Sequence, residues 1–234
     1  MARGMGGIAT DCADLVIFDN DGVLVDSELL SNRVLAELLT ESGHPTTLED
    51  SIARYMGGTL SSVRTEVRAR TGRELPAAFE ARFEERLYRA FDAELEPVSG
   101  IQAVIASLTT PFCVASSGSV ERIVRALAKT GLLPYFRSRI YSADQVAHGK
   151  PAPDVFWYAA RAMGVAPSRA IVVEDSPNGV SAGLAAGMVV LGYARLTPKE
   201  RLAGAHGIFT SMEELPRLLT LPLATWHEGS GGRN

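Results

Sequence analysis

The segment Leu15–Gly22, Leu-Val-Ile-Phe-Asp-Asn-Asp-Gly, is a short apolar run that ends in two carboxylates separated by one residue. The run predicts a buried strand, which delivers Asp19 and Asp21 to the loop at its end. One carboxylate of such a pair can attack a phosphorus atom while the other transfers a proton. Because neighbouring carboxylates repel each other, a divalent cation is the usual means of keeping both ionised. The alternative for this segment alone is a simple turn, since Asp-Gly is a common turn dipeptide.

A second apolar run, Phe112–Ala115, is followed by Ser116, Ser117, Gly118 and Ser119. These residues open an amphipathic helix, so their hydroxyls and free amides converge on one point and form a cradle for an oxyanion. Taken alone, the segment is equally typical of a helix cap with Ser119 as the capping residue.

Two further polar sets follow along the chain. Lys150 lies between Gly149 and Pro151, which indicates a positioned cation, although a lone lysine is normally a surface residue. Glu174 and Asp175 directly follow a third apolar run, and alone they are typical of an acidic first turn of a helix. All the polar sets follow a strand or begin a helix, and ligands bind in an open parallel sheet outside the carboxyl ends of its strands. The sequence therefore predicts one site with hard oxygen ligands for Mg²⁺.

The chain resembles the haloacid dehalogenase superfamily in four ordered segments, FDNDGVLVDSE, VASSGS, GKPAPDVF and VVEDSPNGVSAGLAAGM. The resemblance extends from about Asp14 to about Thr210. The long insert between the first two segments is similar to that of the phosphatase and β-phosphoglucomutase-like branch.

This resemblance implies a role for each catalytic residue. Asp19 would be the nucleophile that forms an aspartyl-phosphate, and Asp21 the general acid and base. Ser116 would hydrogen-bond a phosphoryl oxygen, and Lys150 would hold the nucleophile and the phosphate charge. The dehalogenase branch usually lacks the second aspartate, so the presence of Asp21 favours phosphoryl chemistry.

The resemblance also implies a Mg²⁺ site formed by Asp19, Glu174, Asp175 and the backbone carbonyl of Asp21. The amides near Ser117 and Gly118 would complete the set of groups that bind the phosphate, because phosphoryl transfer depends on charge stabilisation at the equatorial oxygens.

Composition agrees with a soluble metabolic enzyme. The chain has 234 residues, 46% of them hydrophobic, and a net charge of −4, so no basic field attracts nucleic acid. Its apolar stretches are strand-length, well below the roughly 20 residues that span a bilayer. Cys12 and Cys113 are not expected to form a disulfide, and the first ten residues do not resemble a secretion signal. We expect a cytoplasmic protein, monomeric or weakly dimeric, without nucleic-acid or membrane partners.

The patterning predicts an α/β fold with a Rossmann-like doubly wound parallel sheet and an inserted four-helix cap domain. The expected units are an N-terminal extension (1–13), a catalytic core (14–27 and 98–220), the cap (28–97) and a flexible tail (221–234). Within the cap, Thr47 with Asp50 resembles a capping box, and Pro76 suits the first turn of the fourth helix.

The cap is expected to close over the phosphate site and to select the substrate. The stretch from Arg54 to Thr59 joins two predicted helices, so it is the loop expected to face the catalytic crevice. Gly57 and Gly58 allow close approach, while Thr59 either contacts substrate or caps the next helix.

Three functions are compatible with these residues. The first is a magnesium-dependent phosphatase acting on a small phosphorylated metabolite such as a sugar, sugar-acid or polyol phosphate. The second is a hexose-phosphate mutase, which needs a cationic second phosphate site in the cap. In β-phosphoglucomutases a lysine and an arginine flank the glycine of the corresponding cap loop, and the nearest matching positions of this chain are Met56 and Leu60, so that site is not expected here. Arg54 is an alternative source of the second cation. The third is a non-catalytic binding protein on the same fold.

Overall fold

The computed structural model of the protein describes residues 12–228. Within this range a parallel sheet of six strands has the order β3-β2-β1-β4-β5-β6. This topology confirms the predicted α/β class, whereas β6 was not predicted because it is short and contains glycine. The strands are β1 (Leu15–Phe18), β2 (Phe112–Ser116), β3 (Ile140–Ser142), β4 (Ala170–Glu174), β5 (Val189–Tyr193) and β6 (Gly207–Phe209).

Helices cover both faces of the sheet. Alternate residues of β1 point to opposite faces, so Val16 and Phe18 join one hydrophobic cluster while Leu15 and Ile17 join the other. The helices of residues 12–228 are α1 (Glu28–Glu41), α2 (Leu48–Tyr55), α3 (Leu60–Thr71), α4 (Phe79–Glu94), α5 (Ile101–Ser107), α6 (Val120–Lys129), α7 (Leu133–Phe136), α8 (Asp154–Ala162), α9 (Pro177–Ala185), α10 (Leu215–Leu219) and α11 (Leu223–Glu228).

Four helices, α1 to α4, lie between β1 and β2, and all of their residues are described. α1 packs against α2 and α4. The predicted capping box of Thr47 with Asp50 is confirmed, and Thr59 caps α3 by accepting a hydrogen bond from the Ser62 amide at 3.1 Å. The prediction that Pro76 lies in the first turn of the fourth helix is wrong. Pro76 precedes α4, in a turn closed by the Phe79 amide and the Pro76 carbonyl at 3.0 Å.

The chain termini differ in part from the sequence prediction. The predicted flexible tail starts at residue 221, but residues 223–228 form α11, and Leu223 and Trp226 are buried in the larger hydrophobic cluster. Burial of these two apolar side chains explains why this segment is ordered. The rest of the predicted tail, from residue 229, and residues 1–11 of the predicted extension lie outside the described range. Cys12 and Cys113 are both free thiols, as expected. Among the described residues, no helix combines the length and apolarity needed to cross a membrane.

Candidate active site

The predicted site residues converge because β2, β1 and β4 are neighbours and run in the same direction. Asp19 follows β1, Ser116 ends β2, and Glu174 ends β4 with Asp175 directly after it. Parallel strands bring their carboxyl ends to one edge of the sheet. Side chains far apart in sequence therefore meet at a single crevice.

Lys150 is the cation at the centre of this edge. Its Nζ donates hydrogen bonds to Asp19 Oδ1 at 2.6 Å, Glu174 Oε1 at 2.8 Å and the Ala115 carbonyl at 3.1 Å. Although burial opposes the charged form, the carboxylates of Asp19 and Glu174 raise the pKa of Lys150. The lysine is therefore a fixed positive charge, bound to the first predicted aspartate.

Three buried carboxylates, Asp19, Glu174 and Asp175, have oxygens within 4.8 Å of one another. Burial raises the pKa of Asp19 to about 7, an effect that Lys150 opposes and Glu174 and Asp21 reinforce. Burial and the nearby carboxylates also raise the pKa of Asp175 well above its usual value. The positive charge of Lys150 alone does not offset the mutual repulsion of these three carboxylates.

The chemistry of this cluster fits a hard divalent cation. Asp175 is 8% exposed, and no hydrogen-bond donor within residues 12–228 contacts its carboxylate. A buried carboxylate without a partner is costly, and oxygen-only ligands suit Mg²⁺. Asp19, Glu174 and Asp175 are therefore the side chains that could hold the metal. The carboxylate of Asp21 binds Ser27 and Arg122 instead, and its backbone carbonyl remains a predicted ligand.

Two glycines make room for the carboxylates. A Cβ at Gly22, whose φ is +77°, would lie 1.9 Å from Asp175 Oδ2, and one at Gly179 would lie 1.6 Å from Glu174 Oε1. Both distances are far below van der Waals contact, so no other residue fits without displacing the acid. Glu174 is further held by the amide and hydroxyl of Ser176 at 2.8 and 2.9 Å.

Asp21 is bound by groups that sequence reasoning missed. Its Oδ1 accepts hydrogen bonds from Ser27 Oγ at 2.6 Å and Arg122 Nη2 at 2.8 Å. Burial would raise the pKa of Asp21, but Arg122 and Ser27 together hold it below its ordinary value. An arginine in the first turn of an amphipathic helix is typically solvated, so the sequence carried no signal for Arg122.

The segment after β2 forms a polar turn. Ser116 Oγ accepts a hydrogen bond from the Gly118 amide at 3.1 Å, and Ser142 Oγ donates to the Gly118 carbonyl at 2.7 Å. Ser119 caps α6 by accepting from the Arg122 amide at 3.2 Å, so the capping interpretation is also confirmed. Ser116, Ser117 and Gly118 all line the same cavity.

This cavity has a volume of about 400 Å³ and lies between the carboxyl edge of the sheet and helices α1 to α4. Of the predicted cap residues, Gly57, Gly58 and Thr59 line it. Arg54 does not, and its Nη2 pairs with Asp50 Oδ1 at 3.2 Å. The other lining residues are Asp19, Asp21, Glu28, Ser31, Asn32, Leu35, Tyr55, Leu60, Val63, Glu80, Phe83, Glu84, Leu87, Ser116, Ser117, Gly118, Arg122, Lys150, Glu174, Asp175, Ser176 and Asn178.

Comparison with known proteins agrees with this geometry. Residues 13–187 match the haloacid dehalogenase-like hydrolases. The chain is 33% identical to 6-phosphogluconate phosphatase of Escherichia coli over 212 residues, covering 88% of this chain and 94% of that protein. It is 30% identical to hexitol phosphatase A of the same bacterium over 206 residues, covering 85% and 91%.

A solved structure extends the likeness to three dimensions. A conserved haloacid dehalogenase-like protein of unknown function from Agrobacterium tumefaciens is 37% identical, with a TM-score of 0.81, over 88% of this chain and 97% of that one. The chain belongs to the haloacid dehalogenase-like hydrolases. It is an enzyme of that family, and its relatives of named activity include phosphatases.

Proposed function

We propose that this protein is a magnesium-dependent phosphomonoesterase that hydrolyses a small phosphorylated metabolite through an aspartyl-phosphate on Asp19. The observation that carries the proposal is the Asp19 carboxylate, held by Lys150 at 2.6 Å, on the wall of a cavity that Asp21 and Ser116 also line. A nucleophile, a proton carrier and a phosphoryl cradle are thereby within one crevice. The named phosphatases among the relatives support the same chemistry.

In the first step, a carboxylate oxygen of Asp19 bonds to phosphorus while the bond from phosphorus to the leaving oxygen breaks. Asp21 is protonated once it has left Arg122 and Ser27, the groups that lower its pKa, and it then gives this proton to the leaving oxygen, which departs as an alcohol. Lys150 and the Ser116 hydroxyl balance charge on the equatorial oxygens.

In the second step, water attacks the phosphorus of the aspartyl-phosphate and gives a proton to Asp21. The bond between phosphorus and Asp19 breaks, and inorganic phosphate is released. Since Arg122 and Ser27 bind Asp21 in the structure described here, Asp21 must turn away from them to reach the leaving oxygen. We attribute this movement to substrate binding between the helices and the sheet edge.

Asp19, Glu174 and Asp175 would hold the Mg²⁺, together with the backbone carbonyl of Asp21. When bound, it supplies positive charge that keeps these carboxylates ionised and offsets the charge of the phosphoryl group. The closeness of the three carboxylates and the absence of any protein donor for Asp175 within the described residues support this assignment.

The hexose-phosphate mutase is the less favoured alternative. A mutase needs a cation in the cap to bind its substrate's second phosphate, and Arg54 is paired with Asp50 outside the cavity lining. Hydrolysis requires no such group, so the cavity favours the phosphatase.

The test is phosphate release from a panel of sugar, polyol, sugar-acid and nucleotide monophosphates, with and without Mg²⁺, using Asp19→Asn protein as the blank. We expect magnesium-dependent release from a narrow set of substrates. Conversion of glucose 1-phosphate to glucose 6-phosphate with a bisphosphate activator, without free phosphate, would instead establish the mutase.

A further inference from the structure

The cavity wall formed by α1 to α4 and their loops carries acids but no cations. Among the described residues it contributes the carboxylates of Glu28, Glu80 and Glu84, and no lysine, arginine or histidine. The two cations that line the cavity, Arg122 and Lys150, both come from the sheet side. The part of the cavity that receives the leaving group is therefore acidic.

Both lining cations face carboxylates, although the buried Nε of Arg122 has no hydrogen-bond partner among the described residues. Lys150 is engaged by Asp19 and Glu174. Arg122 donates to Asp21 and also lies close enough to Glu28 for that carboxylate to raise the pKa of the arginine. When Asp21 turns away in the proposed mechanism, Glu28 remains as the carboxylate that balances the charge of this guanidinium.

Two arginines of the helices around the cavity, Arg54 and Arg64, lie outside its lining and are bound to carboxylates. Arg64 is outside the lining and donates from Nη2 to Glu80 Oε2 at 2.6 Å. Arg54 pairs with Asp50, also outside the lining. Glu80 is therefore neutralised by Arg64, whereas Glu84 accepts only a neutral hydrogen bond from the Tyr88 hydroxyl at 2.9 Å.

The remainder of this wall is suited to a carbohydrate. The wall combines apolar side chains with those of serine, threonine, asparagine and tyrosine. The C–H faces of a sugar can therefore pack on the apolar groups, while its hydroxyl groups hydrogen-bond to the polar ones. The apolar members are Leu35, Leu60, Val63, Phe83 and Leu87.

We propose that this site selects leaving groups that are neutral or amine-bearing polyols and rejects those that carry a carboxylate or a second phosphate. The inference rests on the proposed phosphatase function. Glu28 and Glu84 accept hydrogen bonds from hydroxyl or ammonium groups, and they repel an anion. Glu28 is only partly exposed, and charges near such a protein surface interact roughly four times more strongly than in bulk water, so Glu28 is the main selector. Glu84 is exposed, so solvent and salt weaken its repulsion. The chain would then differ in substrate from its relative 6-phosphogluconate phosphatase.

The test compares glucitol 6-phosphate with 6-phosphogluconate, which differ only in having a hydroxymethyl group or a carboxylate at the first carbon. Both are measured at pH 8 as substrates and as competitors of p-nitrophenyl phosphate hydrolysis, so a ratio is obtained even if neither turns over quickly. We expect kcat/KM, or the inhibitory affinity, to favour glucitol 6-phosphate at least tenfold, equivalent to about 1.4 kcal/mol.

Charge-removing variants locate the source of the preference. Glu28→Gln should reduce the ratio by about threefold or more by removing a repulsive charge, and Glu84→Gln should reduce it by a smaller factor because Glu84 is exposed. Glu94→Gln is the matched control: Glu94 lies on α4, pairs with Arg33 and does not line the cavity, so the ratio should not change.

Three results would overturn the inference. The first is equal or better use of 6-phosphogluconate by the unaltered protein. The second is a selective loss of 6-phosphogluconate binding in Arg122→Gln, which would make Arg122 a carboxylate ligand. The third is an equal change in the ratio for Glu28→Gln and Glu94→Gln. Absence of p-nitrophenyl phosphate hydrolysis in the presence of Mg²⁺ would be a different failure, since it would refute the phosphatase function itself.

Discussion

A single methyl group at Gly179 should disable the site while leaving the fold in place. An alanine Cβ there would lie 1.6 Å from Glu174 Oε1 and 1.8 Å from its Cδ. Atoms cannot approach this closely, so either the helix or the carboxylate must move. Glu174 is 1% exposed and cannot turn into solvent without losing its partners.

The magnitude follows from the bonds that Glu174 makes. It accepts hydrogen bonds from Lys150 at 2.8 Å and from the Ser176 amide and hydroxyl at 2.8 and 2.9 Å. A hydrogen bond to a charged group contributes about 1.5–3 kcal/mol. If displacement of the Glu174 carboxylate removes the equivalent of one such bond from the transition state, transition-state stabilisation falls by about 2.7 kcal/mol. This loss corresponds to a roughly 100-fold fall in kcat/KM. A Gly→Ala change within a helix gains about 0.5–1 kcal/mol of stability, which offsets part of any loss in folding.

The assay is p-nitrophenyl phosphate hydrolysis as a function of Mg²⁺, together with the melting temperature of each protein. Gly183→Ala is the matched control, since it makes the same change one turn further along α9. There the Cβ meets Val190 Cγ2 at 2.7 Å, in the hydrophobic core. We expect Gly183→Ala to lower the melting temperature but to keep kcat/KM within about threefold of the unaltered protein. The reasoning fails if Gly179→Ala retains more than about a third of the original kcat/KM at saturating Mg²⁺.

Three further predictions concern the aspartates. Asp19→Asn should abolish turnover and phosphoenzyme formation, and any ³²P incorporation into this variant would contradict its role as nucleophile. Asp21→Asn should accumulate phosphoenzyme with p-nitrophenyl phosphate, whose leaving group needs no proton, and should lose alkyl phosphate hydrolysis; equal rates on both substrates would count against the assignment. The pKa values of Asp19, about 7, and of Asp175 are raised by burial, so the stability that protonation adds to the metal-free protein is complete below the ordinary value of 3.8 and is lost as pH rises through about 7. Mg²⁺ should therefore raise the melting temperature by at least about 2–4 °C more at pH 8 than at pH 5, and this difference should shrink in Asp175→Asn.

Much of the site could be predicted because its reactive side chains directly follow short apolar runs, a pattern that is visible in the sequence. An apolar run followed by Asp19, Ser116 or Glu174 is visible in the sequence, and parallel pairing necessarily brings such ends together. The loop at Gly57 could be placed near the site because it lies between two helices of the insert.

The partner of each side chain could not be predicted in this way. Arg122 and Asp21 are separated by about a hundred residues, and an arginine on a polar helix position is ordinarily solvated. The error at residues 223–228 has a related cause. A short terminal segment is ordered only when its apolar side chains pack on the rest of the protein, as Trp226 does here. The sequence does not show that such a surface is available.

The sequence by itself determined the class of fold, the family and the identity of the acids, serine and lysine at the sheet edge, since each depends on local pattern and on the order of motifs along the chain. Only the tertiary structure decided that Lys150 joins Asp19 to Glu174 and that Asp175 lacks a partner among the described residues. It also decided that the described part of α1 to α4 lines the cavity with glutamates and with no cation. The physical reason is that charge balance and side-chain direction depend on which surfaces pack together, and packing joins residues that no sequence pattern relates.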